Sequence, residues 1–189
     1  MYLLRPALLE ELSLIHQMQN IPHREKVFTE PLPPLKEFIE SSSERMQKGE
    51  EFYYIFEVDG KPVGFIEYLS GIETTSVWGR WLNTLIYGCG VLAFYDLNFS
   101  KLSWYTRAIN KPMLAACSKF KFRRVGENEV CTITDGFGFI AVGKNVLFEI
   151  KSEEFKANQN WMEKLCHPLQ FRFRNPENLP DATNRGSVR

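Results

Sequence analysis

Three kinds of group in this sequence could do chemistry: a carboxylate set in apolar strand sequence, a few thiols, and glycines beside a helix. Glu67 stands between Ile66 and Tyr68. Strand alternation turns it to the face opposite those neighbours. There it either takes up a proton from a ligand or sits solvated at an edge. The thiols are Cys89, Cys117, Cys131 and Cys166, widely spaced and without a Cys-x-x-Cys pair, which argues against a zinc site. Cys117 reads as a small buried residue on a helix. Gly88-Cys89-Gly90 is a lone Gly-x-Gly, able to wrap a phosphate or to let a helix pack closely. Asn110, two residues before Pro112, is placed to cap a helix. His23, in a polar loop, reads as a surface imidazole.

The elements that must position these groups follow from periodicity. Tyr2 to Arg5 reads as a short strand stopped by Pro6, and Ala7 to Gln19 as an amphipathic helix. Leu35 to Gln47 reads as a second helix closed by Gly49. Phe52 to Val58 and Val63 to Leu69 flank Asp59-Gly60, the strongest short hairpin signal in the chain. Thr74 to Leu82 reads as a strand, and Leu85 to Phe99 as an apolar helix weakened by Gly88 and Gly90. Leu102 to Arg107 is a strand, and Pro112 to Lys119 a short helix with proline near its first position. Strands near Glu129 to Thr134 and Asn145 to Lys151 precede a last helix from Ser152 to about Leu165. The order implies a mixed α/β (α+β) domain around one mostly antiparallel sheet of about seven strands flanked by helices. The domain is expected over residues 1–168, with a tail at 169–189 that is disordered from about Asn175.

Composition narrows the function classes. The chain has 189 residues, 44% of them hydrophobic, with 15 Phe, 7 Tyr and 4 Trp, enough for a core without disulfide or metal staples. The formal net charge is +0, which predicts no general attraction to nucleic acid or to a membrane surface. No run of about 18 apolar residues suits a membrane span, and the N-terminus lacks a signal-peptide pattern. A soluble cytoplasmic protein with free thiols is the expectation.

Three local patterns give the order of elements a family likeness. Leu4-Arg5-Pro6 opens onto an amphipathic helix. Val58-Asp59-Gly60-Lys61-Pro62-Val63-Gly64-Phe65 forms a hairpin. From Phe94 to Phe122 the chain has Ala93-Phe94 at a helix end, a strand, Asn110, a short helix and then Phe122 with Gly126 soon after. Together, over roughly residues 1–150, these resemble the GCN5-related N-acetyltransferase superfamily. The polar segment after the first helix and Lys144 to Ile150 look like the branch that acetylates amino sugars on nucleotides.

That resemblance implies transfer of an acetyl group from acetyl-CoA to a primary amine of a small molecule, with no metal. An amino sugar on a nucleotide is the best expectation, and acetylation of a protein or peptide amine is an alternative. Pantetheine would add along the strand from Ser76 to Leu82 as a partial extra strand, with Trp78, Gly79, Arg80 and Trp81 offering main-chain groups. The two tryptophans read also as core, and Gly79 as a bulge or a close-packing position. Pyrophosphate would meet N–H groups from Asn83, Thr84, Gly88 and Gly90, and Asn110 would touch the pantetheine arm. Glu67 would be the base, with His23 and Asp96 as weaker candidates. Cys117 stands where relatives often carry a tyrosine acid, and Tyr105 or Ser118 could substitute. The family's glycine positions in the phosphate loop fall on Trp78, Arg80 and Leu82. That departure keeps open a second reading, a binding module that has lost catalysis. The aromatic stretch Leu169 to Phe173 could pack on its own domain or on a second subunit of a homodimer.

Overall fold

The structure, a computed structural model, describes residues 1–134 and 139–174. The chain runs β1 (Tyr2–Pro6), α1 (Leu12–Gln19), α2 (Leu35–Gln47), β2 (Glu51–Val58), β3 (Lys61–Leu69), β4 (Thr74–Gly79) and α3 (Leu82–Val91). It continues through β5 (Lys101–Arg107), α4 (Lys111–Lys119), β6 (Arg123–Thr134), β7 (Phe139–Lys151), α5 (Ser152–Glu163) and β8 (Leu169–Phe171). The strands form one sheet in the order β6-β7-β5-β4-β3-β2-β1-β8. Only the β4–β5 and β1–β8 pairings are parallel.

Alternation along the strands sends side chains into two cores. Tyr54, Phe56, Ile66 and Tyr68 pack with the α3 residues Leu85 and Ile86, with Ala116 and Cys117 of α4, and with Phe155 of α5. Tyr53, Ile55 and Phe65 pack on the other side with Leu12 and Ile15 of α1 and Phe38 of α2. The hairpin at Asp59-Gly60 forms as expected, with a register shift between Phe56 and Glu57.

Several boundaries move, each for a physical reason. The strand expected to reach Leu82 ends at Gly79, which has φ +153° and backs onto Gly64; a Cβ on Gly79 would sit 2.8 Å from Gly64 Cα. Trp81 takes a left-handed conformation (φ 55°) and turns the chain directly into α3. That helix therefore begins three residues before the expected Leu85, and it closes in a π-turn in which Leu97 N–H donates to Leu92 O (3.0 Å). The strands expected near Glu129 and Asn145 are opposite ends of one long β6–β7 hairpin, whose turn end carries Val130, Phe139 and Ala141 as a small core of their own.

The boundary expected at residue 168 falls just before β8. Leu169, Phe171 and Phe173 pack against the main core, and Arg172 N–H donates to Leu4 O (2.8 Å), so the stretch to Arg174 packs on its own domain. The expected disorder from Asn175 lies outside the described residues. No helix among the described residues is long and apolar enough to cross a membrane.

Candidate functional site

The sheet parts between β4 and β5. The two strands share a single pair, Thr74 with Ser103. Just before it, Ser103 N–H donates to Glu73 O (3.0 Å). Beyond it the strands diverge, and a cavity of about 690 Å³, counted with its open mouth, fills the gap. Thr75, Ser76 and Val77 of β4 line one side, and Trp104, Tyr105 and Thr106 of β5 the other. The loop between α1 and α2 adds Val27 and Phe28, and α3 adds Ile86, Cys89 and Gly90. Past Thr74 the main chain of β4 thus has a sheet edge with no strand against it among the described residues, where an extended amide-bearing chain can pair.

Glu67 lies beside this gap on the face of α1 and α2. It pairs across the sheet with Ser76 on β4 and with Tyr53 on β2. The Tyr53 hydroxyl lies 3.4 Å from Glu67 Oε1, 3.2 Å from Glu51 Oε1 and 3.4 Å from Ser42 Oγ. Glu51 is fully buried (0% exposed) and paired with Arg45 at 3.1 Å, while its Oε2 has no partner among the described residues. Burial, then the hydrogen bond and charge of Glu51, push the Glu67 carboxyl up to about 8, against the pull of Arg45 and the Ser76 hydroxyl. A carboxyl poised there matches a base that works near neutral pH. Arg24, stacked over Phe28, also faces Glu67; its own burial lowers its pKa to about 10.

On the other face, the first turn of α3 has no side-chain cap at Trp81. Its leading N–H groups, from Leu82, Asn83 and Thr84, have no partners within the helix. They open on a groove of about 810 Å³, again counted with open solvent, that is also lined by Ala115, Lys119 and His167. The Thr84 side chain is already engaged, accepting from His167 N–H at 3.0 Å. Backbone N–H groups, a helix dipole and Lys119 together suit an anion.

The expected site residues therefore separate. Trp78 and Gly79 lie on the free strand, Arg80 and Trp81 at the turn, and Asn83 and Thr84 at the helix start. Trp78 packs its ring on the α1–α2 core with Nε1 buried and without a partner among the described residues, while the Trp81 ring meets Tyr2 and Phe56 edge-on. Tyr105 lines the cavity and is 54% exposed. Asn110 lines it too, and also caps α4, its Oδ1 accepting from Met113 N–H at 3.4 Å.

Gly88 and Gly90 do not form a phosphate loop, because both lie inside α3. A Cβ on Gly88 would sit 2.2 Å from Leu4 Cδ1, and one on Gly90 2.3 Å from Phe155 Cε2, so close helix packing explains the pair. Cys117 is 0% exposed in the core and lines neither the cavity nor the groove, which removes it from reacting atoms. Burial holds its thiol at about 11. His23 points at Glu25 on the surface, and Asp96 is a buried acceptor for the Tyr54 hydroxyl (2.6 Å) and Arg174 N–H. Sequence reasoning missed Glu51, Tyr53 and Ser76. Their signal is polar residues on β2 and β4 across from Glu67, readable only once the register is known.

No protein-family model matches the sequence, and no curated protein matches it. Solved structures do match. A spermidine N-acetyltransferase from Vibrio cholerae in complex with CoA and spermine is 14% identical, with a TM-score of 0.68 over 82% of this chain and 98% of that one. The spermidine/spermine N-acetyltransferase of the same organism with manganese ions is 16% identical, with a TM-score of 0.65 over 83% and 96%. A dodecameric form of the former enzyme is 15% identical, with a TM-score of 0.63 over 82% and 95%. These neighbours lend no support to the amino-sugar-nucleotide branch. At such identities the likeness is one of fold, and the fold expected from the Phe94 to Phe122 anchors is the one this chain has, that of the GCN5-related N-acetyltransferases.

Proposed function

We propose that this protein transfers an acetyl group from acetyl-CoA to a primary amine of a small molecule. The carrying observation is the parting of β4 from β5 around a cavity, beside an uncapped helix start. Pantetheine pairs with the free main chain of β4 from Ser76 to Gly79, and Asn110 meets it from α4. The pyrophosphate lies on the first turn of α3, near Lys119. This loop does the work without glycines, because Trp81 itself takes the left-handed turn that a glycine would otherwise supply. The amine enters from the α1–α2 face and loses its proton toward Glu67. A β4 main-chain N–H steadies the oxyanion, and Tyr105 is placed to protonate the departing thiolate.

On the α1–α2 face the acceptor walls from Val27, Phe28 and Tyr105 are largely apolar, which suits an aliphatic amine better than a sugar nucleotide. Spermidine and spermine, named for the neighbours, are the first acceptors to test.

Acetyl-CoA should raise the melting temperature, by the equivalent of about 2.7 kcal/mol at a hundredfold excess over Kd. Free thiol should then appear on adding spermidine, and more slowly or not at all with amino-sugar nucleotides or N-terminal peptides. Stabilisation by acetyl-CoA without thiol release from any amine would move the reading to a CoA-binding module. Neither response would sink it.

A further inference from the structure

We infer that Ser76, Glu67, Tyr53 and Glu51 form a path that carries the acceptor's ammonium proton from the cavity to solvent beside Arg45, with Glu51 and Glu67 sharing one proton at rest. The inference rests on the acetyl-transfer reading above and deepens it.

Register builds the path. Ser76, Glu67 and Tyr53 are direct cross-strand partners on β4, β3 and β2, so their side chains stand in a row on one face. Glu51 is two residues before Tyr53 and shares that face. Ser76 lines the cavity, stands directly across the sheet from Glu67, and its hydroxyl favours the ionised Glu67 carboxyl. The Tyr53 hydroxyl bridges the Glu51 and Glu67 carboxyls at 3.2 and 3.4 Å, and Glu51 helps to raise the Glu67 carboxyl. The far end opens at Arg45, whose side chain is 46% exposed and 3.1 Å from Glu51.

The buried oxygen Oε2 of Glu51 gives a second, independent reason. It has no donor among the described residues. A buried carboxylate left half-satisfied is costly. Two carboxyls gathered on one hydroxyl do not both ionise readily. A single proton shared between Glu67 and Glu51 answers both problems. The groups facing the pair are Ser42 and Arg45 from α2, Arg24 from the loop before it, Tyr53 from β2 and Ser76 from β4.

The cycle balances in protons alone. The shared proton leaves to water beside Arg45. The ammonium N–H bond then breaks, its proton passes to Ser76 Oγ while the Ser76 proton moves to Glu67, and the neutral amine attacks the thioester. The proton now on Glu67 is again shared with Glu51 through Tyr53. No electron changes hands.

The test is a carbon-13 titration of labelled glutamate carboxyls in the wild type, Glu67→Gln, Glu51→Gln and Tyr53→Phe, with kcat measured against pH at saturating acetyl-CoA and spermidine. The wild type should show one carboxyl titrating near 8, absent from Glu67→Gln. In Glu51→Gln that titration should fall by about one pH unit or more, a tenfold change in proton affinity, and the acid limb of kcat should move with it. Tyr53→Phe should keep a high Glu67 titration and lower plateau kcat by about 10²-fold. A wild-type Glu67 in the ordinary carboxylate range overturns the inference, even where Glu51→Gln fails to fold. So does a folded Glu51→Gln with an unmoved titration and limb, or a Tyr53→Phe with wild-type kcat. A wild type with the high titration but no acetylation of any amine overturns the export path through failure of the acetyl-transfer reading, while leaving the shared proton measured.

Discussion

β5 has two neighbours and treats them differently. Against β7 it pairs along all seven of its residues, from Lys101 with Lys151 to Arg107 with Asn145. Against β4 it pairs once and then leaves. Phe148 of β7 stacks on Trp104 at 6.0 Å, and the other side of Trp104 lines the cavity that fills the open flank. The same strand is therefore scaffold on one flank and wall of the site on the other. An unpaired strand edge inside a domain has to be filled by something other than a strand, and here the filler is proposed to be a ligand.

The comparison breaks most visibly at the closed flank. Phe148→Ala should lose about 3–5 kcal/mol in urea unfolding, because the ring is buried and the ladder around it cannot relax; a loss below about 1 kcal/mol would show that the flank is no scaffold. On the open flank, Tyr105→Phe should move stability by no more than about 0.5 kcal/mol. Its effect belongs in kcat, a drop of about 10²-fold, equal to about 2.7 kcal/mol of barrier, and an unchanged kcat would take Tyr105 out of the proton-donor role.

Gly90→Ala tests the helix between the flanks. Its new methyl meets Phe155, so a cost of about 1–3 kcal/mol is expected. Acetyl-CoA affinity should hold, and a selective loss of that affinity would return Gly90 to the phosphate site. The remaining test is on pH. Glu67 titrates near 8 in the folded protein, against 4.5 for an unperturbed glutamate. Between those values the folded state keeps a proton that the unfolded state has lost, so stability should fall as pH rises from about 4.5 to about 8. Glu67→Gln should flatten that slope, as read from melting temperatures across the window.

Much of the scaffold was legible. Leu35 to Gln47 shows helical spacing, Asp59-Gly60 announces its hairpin, and Pro112 opens α4 under an Asn110 cap, all from local chemistry. The thiol at Cys117 and the Gly-x-Gly were misleading because residue type says nothing of what lies across the core. Phe155 and Leu4, which need the two glycines, are far away in sequence.

By itself, the sequence determined the order of elements, the anchors from Phe94 to Phe122 and the presence of a carboxylate at Glu67 in a strand. Tertiary structure decided what that carboxylate meets. In β3 one extra residue, at the shift between Phe56 paired with Gly64 and Glu57 paired with Pro62, sets the rest of the hairpin. Without it, Ile66 rather than Glu67 would face Tyr53, because a one-residue slip exchanges the faces of a strand. The bulge, together with the parting of β4 from β5, brings Glu67, Tyr53 and Ser76 into one row beside the cavity.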